Sequence, residues 1–255
     1  MGAVIDLNSD LGEGYGAYRM GDDEALLDIV TSANVACGFH AGDPAIMRRS
    51  CEQAVEKGVR IGAHIGYQDL AGFGRRDIDV PPESVRDEAL YQIGALDAFA
   101  RAAGDRVRYV KPHGALYHAA ARRPDIATAL VDALVAVSLP DQPLQLLGPP
   151  DSALERAALA AEIGYAREGF ADRSYAADGS LTPRSQPGAV LGPEAALDQA
   201  LAIATSGTFT TPEGEPVAVA VRSLCVHGDS PAAVDMARAI RTALLERGLR
   251  LQAFA

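Results

Sequence analysis

Two hydrophobic periods alternate along the chain. Short apolar, β-branched runs predict strands over Ala3–Leu7, Ala33–Cys37, Arg60–Ile65, Val107–Lys111, Leu144–Leu147, Tyr165–Glu168 and Val217–Val226. Between them, apolar residues recur with helical spacing near 22–30, 44–57, 82–103, 124–137, 151–163, 193–205 and 231–247. Seven strand-then-helix units in regular order imply right-handed crossovers and a parallel sheet, an α/β class. Helix boundaries are marked chemically. Asp43-Pro44 and Ser230-Pro231 each place a capping side chain before a proline at the first helical position. Gly58 and Gly248 follow helical patterns where C-terminal glycines belong. No shift of composition or Pro/Ser-rich linker divides the chain, so residues 1–255 read as a single domain, the size of one (β/α) barrel.

Two long connections break this rhythm: Gly66–Val80 (GYQDLAGFGRRDIDV) and Ala171–Val190 (ADRSYAADGSLTPRSQPGAV). Loops this long inside a compact domain are often lids or binding loops. Each carries arginines, Arg75 and Arg76 in one and Arg173 and Arg184 in the other; plain solvated turns are the competing reading. A third irregular stretch, Ser206–Val217, has the pattern of a β-hairpin leading into the last strand.

Composition narrows the function classes. The chain has 23 basic and 34 acidic side chains, a formal charge of −11, which disfavours nucleic acid as a partner. The N-terminus lacks a basic segment followed by a long apolar one, and no run of about 18 apolar residues occurs, so a cytoplasmic location away from membranes is expected. The three cysteines, Cys37, Cys51 and Cys225, are odd in number and form no CxxC, which fits a reducing compartment and buried apolar roles.

The polar residues carry the chemistry. The first strand leads into Asn8-Ser9-Asp10-Leu11-Gly12-Glu13, the second into His40 and Asp43, and the third into His64. The fourth ends in Lys111-Pro112-His113, the sixth runs into Glu168, Asp172 and Arg173, and the seventh ends in His227-Gly228-Asp229. Four of the five histidines thus sit at carboxyl ends of different predicted strands, which meet at one face of a βα barrel. The fifth, His118, lies a helical turn past His113 and is expected to point elsewhere. Any one strand-end histidine is more often structural than catalytic; four at one face are not so easily dismissed. Asp43 is explained equally well as a helix cap. Asp10, Glu13 and the histidines suit general acid/base work or, together, a divalent metal, although no HExxH or HxxxH pair is present. Lys111 and the loop arginines suit a carboxylate or an oxyanion. There is no GxxxxGK[ST], no GxGxxG opening a helix and no GxSxG, so a nucleotide site, if used, is of another type or lies on a partner.

In order, DLNSDLGE, NVACGFHAGDP, GAHIGYQDLAGFGRR, VKPHGALY, EGFADRSYAADGSLTPR and CVHGDSP resemble the LamB/YcsF family across nearly the whole chain. The resemblance implies an irregular (β/α) barrel related to glycoside hydrolase and deacetylase barrels. It also implies a cytoplasmic enzyme subunit that opens 5-oxo-L-proline to L-glutamate with ATP and Mg2+, beside two partner subunits, PxpB and PxpC. Ser9 stands where the family usually has Cys, Ile65 near a usual Pro, and His118 where Asn is usual. On this reading Asp10, His40 or His64 activates water, and Lys111 and His113 stabilise charge on the oxygen or phosphoryl group. His227 with Asp229 forms an acid/base pair, and Arg173, or Arg75 and Arg76, binds the substrate carboxylate with Asn8, Glu13 and Tyr175 nearby. Two alternatives stand beside it: a metal-dependent deacetylase or amidohydrolase without ATP, using Asp10, His40 and His64 as ligands, and a non-catalytic subunit that holds a small acid.

Overall fold

The computed structural model describes residues 3–184, 186–211, 214–228 and 232–255. Its strands and helices follow in the order β1 (Val4–Leu11), α1 (Asp23–Leu27), β2 (Ser32–Ala36), α2 (Pro44–Lys57), β3 (Arg60–Ile65), α3 (Pro82–Ala102) and β4 (Tyr109–Pro112). Then come α4 (Gly114–Arg122), α5 (Pro124–Val137), β5 (Gln145–Gly148), α6 (Ala153–Ala160), β6 (Gly164–Phe170) and α7 (Pro193–Ser206). The chain ends with β7 (Thr208–Thr210), β8 (Pro216–Ala218), β9 (Ser223–Cys225), α8 (Ala233–Glu246) and β10 (Arg250–Leu251).

Among the described residues, β1, β2, β3, β4, β5, β6 and β9 pair in parallel in that order, and β9 returns to β1, which closes a seven-stranded barrel. The short β10 adds to the start of β1, with Val4 opposite Arg250. The expected hairpin is the antiparallel pair β7–β8, so the run predicted as one strand, Val217–Val226, is split between that hairpin and the barrel strand β9. α4 is not among the expected helices; the extended Arg123, which precedes Pro124, separates it from α5.

Local chemistry explains the boundaries. Asp43 accepts from the Ala45 and Ile46 amides at 2.8 and 2.9 Å, with Pro44 behind it, and α2 stops at Gly58 in a left-handed turn. The Ser230-Pro231 cap lies outside the described residues.

The barrel interior is polar at its centre. Along β1, Asp6, Asn8 and Asp10 alternate with Ile5, Leu7 and Leu11, and the strand runs four residues beyond its predicted end at Leu7. The buried Asp6 accepts from Thr31, Ser32 and Ser223, and Asn8 donates to Ser223 at 2.7 Å. Asn34 donates to Asn8 and Asp10 at 2.7 and 2.8 Å and accepts from the Tyr109 hydroxyl at 2.7 Å. Each side chain of this network has a partner, the condition for a polar core to be tolerated. Tyr109 needs Gly62 beside it: a Cβ there would stand 2.2 Å from the ring. Phe254 packs edge-on against the same ring.

Candidate active site

The carboxyl ends of the strands open into a cavity of about 580 Å3. Its floor carries Asp10, Glu13, His64, Lys111, His113 and His227; its walls carry Arg75, Asp77, His118, Arg122, Arg173 and Arg184. Both long loops therefore contribute to the walls, and the floor side chains come from β1, β3, β4 and the segments that follow β1, β4 and β9. Convergence of strand-end residues on one face is what a closed βα barrel dictates.

Lys111 anchors the floor. It is 2% exposed and pairs with Asp10 Oδ1 at 2.9 Å and Glu168 Oε1 at 2.8 Å. Burial works against its charge, but Asp10, Cys225 and Glu168 raise its pKa well above the ordinary lysine value, so it stays an ammonium. Burial likewise opposes the Asp10 carboxylate, yet His64 and Lys111 outweigh it and hold Asp10 well below the usual carboxylate range. Asp10 is thus a fixed negative charge, suited to orienting its neighbours rather than to taking up protons at neutral pH.

The second group is a knot of imidazoles. His40 stacks on His113 with centroids 3.8 Å apart, and His64 meets both edge-on. Glu13 Oε1 lies 3.4 Å from His40 Nε2, 3.4 Å from His113 Nδ1 and 3.8 Å from His64 Nε2. Burial, reinforced by neighbouring imidazoles, pushes His40 and His113 well below the ordinary histidine range, so both are neutral at pH 7. Burial raises the Glu13 carboxyl. Gly74, with φ of +65°, lets the 66–80 loop press onto this knot: a Cβ there would sit 2.7 Å from His40 Cβ and 2.8 Å from His113 Cδ2.

His227 forms its carboxylate pair with Asp172, at 2.9 Å from Nδ1 to both oxygens. The expected partner, Asp229, lies outside the described residues. Asp172 ends up below its usual pKa because its contact with His227 outweighs the opposing effect of burial. Phe170 stacks on the His227 ring.

Other expected residues are placed differently. Arg76 does not line the cavity: its Nε donates to Asp69 at 2.8 Å, and Asp69 also accepts from the Gly72 amide, so the pair folds the loop. Tyr175 is buried behind the floor, stacked on Phe209, with its hydroxyl accepting from the Phe170 amide. Asn8 sits one layer below, inside the polar core, and reaches Lys111 only at 3.5 Å. Arg173 reaches the cavity but spends Nε on Ala189 O at 3.1 Å and Nη2 on Thr182 O at 2.6 Å, closing the 171–190 loop on itself. His118, expected to point elsewhere, lines the wall because α4 starts directly after His113. Of the proposed metal ligands, His40 and His64 gather with Glu13 and His113, while Asp10 turns to Lys111 and His64. Glu168 and Asp172 are visible in the sequence as polar residues after a strand; only the fold shows that one meets Lys111 and the other His227.

The LamB/YcsF family model matches residues 5–255. The 5-oxoprolinase A subunit of Nocardia farcinica is 60% identical over 250 residues, which cover 98% of this chain and 99% of that protein. The protein of the same name from Streptomyces avermitilis is 53% identical over 253 residues, covering 99% and 100%. The crystal structure of a lactam utilization protein from Thermus thermophilus superposes with a TM-score of 0.91 at 42% identity, over 98% of this chain and 99% of that one. The peptidoglycan deacetylase PdaC of Bacillus subtilis, at 14% identity and a TM-score of 0.50 over 99% and 88%, shares the fold alone.

Proposed function

This chain belongs to the LamB/YcsF family, and from that premise we propose that it is the A subunit of a 5-oxoprolinase, opening the lactam of 5-oxo-L-proline to L-glutamate. The observation that carries the reading is one cavity whose floor holds acid/base groups and a buried ammonium while its walls hold arginines. A small cyclic amide with a carboxylate matches that division of charge.

A five-membered lactam is an unstrained, resonance-stabilised amide that closes readily, so its hydrolysis needs activation. In the proposed reaction ATP, with Mg2+, supplies it by phosphorylating the amide oxygen. The chain has no phosphate-binding glycine motif, so we assign nucleotide binding to the PxpB and PxpC partners. Water then adds to the activated carbon. Neutral His113 takes the water proton, since a useful base must be unprotonated at working pH. Lys111 faces the negative charge that grows on the oxygen or phosphoryl group. His227, oriented by Asp172, returns a proton to the ring nitrogen as the C–N bond breaks, which leaves an acyl phosphate on the opened chain; a second water cleaves it to L-glutamate and inorganic phosphate. Arg75 and Arg184 in the loops hold the substrate carboxylate.

Asp172→Asn tests this assignment, because it keeps the shape but leaves His227 without its carboxylate. In the chain mixed with its partners, glutamate release should fall by about 10² or more, with the complex still assembling. Unchanged release in an intact complex would remove the His227–Asp172 pair from the reaction.

A further inference from the structure

We infer that Glu13, His40, His64 and His113 form a binding site for one divalent transition-metal ion, Zn2+ being the best fit, at the floor of the barrel. The site rests on donor geometry and stands whether or not the substrate is a lactam; with a metal bound, His113 Nδ1 and Glu13 are ligands, and His113 no longer serves as the base that takes the water proton.

Two backbone carbonyls fix the tautomers. A carbonyl oxygen only accepts, so His113 Nε2, 2.8 Å from Phe73 O, carries a hydrogen. His64 Nδ1, 3.2 Å from Lys111 O, carries one for the same reason. Where each ring carries only that one hydrogen, His113 Nδ1 and His64 Nε2 are bare, and these two nitrogens face each other at 3.0 Å. Two lone pairs at that distance repel unless a cation lies between or beside them. Carboxylate oxygens make the demand stronger: Glu13 Oε1 at 3.4 Å from one and 3.8 Å from the other, and Asp10 Oδ2 at 3.2 Å from His64 Nε2. A ring nitrogen hydrogen-bonded to a carbonyl on one side and bare on the other is the arrangement that fixes histidine as a metal ligand.

The remaining donors point the same way. Glu13 Oε1 and both ring nitrogens of His40 are buried and make no hydrogen bond, and His40 is 0% exposed. Such orphaned buried atoms are rare without a ligand. The donor atoms of Glu13, His40, His64 and His113 all lie within 4.8 Å of one another. Bonds of about 2.1 Å in a tetrahedron separate the ligand atoms by about 3.4 Å. The distances found, 3.0, 3.4, 3.4 and 3.8 Å, scatter around that edge. Since the His40 and His113 rings are parallel, one must turn to aim its lone pair, and His40, which no hydrogen bond holds, is the one that can. Carboxyl groups outnumber the ammonium here: Asp10 and Glu168 share Lys111, while Glu13 lies among the imidazoles. Imidazole with one carboxylate suits zinc and its first-row neighbours rather than magnesium or calcium.

The test needs no substrate. The full-length chain, stripped with a chelator and dialysed, is titrated with Zn2+ and, separately, with Co2+, with metal content measured by mass spectrometry. The expected result is one metal per chain, a higher melting temperature, and the intense visible bands of tetrahedral Co2+. His64→Gln and Glu13→Gln should each weaken binding by more than the ~10–100-fold typical of changes to outer hydrogen-bond partners. Arg76→Ala, outside the cluster, should keep one equivalent. Circular dichroism of the stripped chain and each variant separates lost ligation from lost folding. A folded wild-type chain that takes up no metal, or takes it up equally well after His64→Gln, would overturn the site and leave a shared proton as the bridge between the two nitrogens.

Discussion

Replacing Lys111 by methionine probes the floor of the barrel most sharply. The substitution conserves length and apolar stem but deletes the cation between Asp10 and Glu168, at 2.9 and 2.8 Å. Glu168 is 0% and Asp10 8% exposed, so water cannot take over the lost interaction. Breaking a buried pair costs about 3–5 kcal/mol, mostly because a charge is left without its partner. At about 2–4 °C per kcal/mol for a domain of this size, the melting temperature should fall by roughly 6–20 °C. The pH range follows from the pKa directions. The raised Lys111 contributes stability that is complete below the unfolded lysine value and lost only as pH rises through its higher folded value. The lowered Asp10 contributes stability present above the unfolded carboxylate value and lost as pH falls through its lower one. The loss in Lys111→Met should therefore be nearly constant between about pH 5 and 9. Adding Glu168→Gln should recover about 0.5–3 kcal/mol, since the two residues are directly coupled. Thermal and urea unfolding of the single and double variants give both numbers. A melting temperature within about 2 °C of wild type, or strictly additive effects, would refute the view that this ammonium holds two buried carboxylates in place.

Asp23 gives a pH-dependent prediction of the opposite sign: burial raises its pKa to about 6 while its oxygen accepts from the Gly12 amide at 3.0 Å. The protonated form is the comfortable one, so its contribution is complete below the unfolded value and lost as pH rises through about 6. Asp23→Asn, which retains an acceptor for Gly12, should be more stable than wild type at pH 7 by up to about 3 kcal/mol, with the advantage vanishing toward about pH 4 in denaturant titrations. Gly74→Ala should displace His40 and His113, destabilising the chain by about 1–3 kcal/mol in the same titrations and lowering turnover at least tenfold. Tyr109→Phe removes the hydroxyl that donates to Asn34 at 2.7 Å and should cost about 1–2 kcal/mol in unfolding measurements.

Strand-then-helix order, capping by Asp43 and the stop at Gly58 are readable in the sequence because they rest on local chemistry and on apolar period. The end of β1 is not, because Asn8, Ser9 and Asp10 read as a polar loop unless the barrel interior is known to be polar. The last barrel strand is obscured for a related reason: the hairpin strand β8 and β9 form one β-rich run in sequence, and only the closure of β9 onto β1 separates them. The convergence of His40, His64, Lys111 and His113 follows from the rule that strand ends meet at one face. Their pairing does not. Which carboxylate serves which base, Asp172 for His227 and Glu168 for Lys111, depends on side-chain direction across strands far apart in sequence. Arginines are the least legible, because Arg76 and Arg173 bond within their own loops as readily as an arginine meets a ligand.

Glutamate formation is the decisive readout for the proposed role. The purified chain is supplied with 5-oxo-L-proline and Mg-ATP, first alone and then with the proposed PxpB and PxpC subunits. The expected outcome is no glutamate from the chain alone and ATP-dependent glutamate from the mixture, abolished when this chain is left out. Equal glutamate from the partners without this chain, or none from a demonstrably assembled mixture, would contradict the assignment.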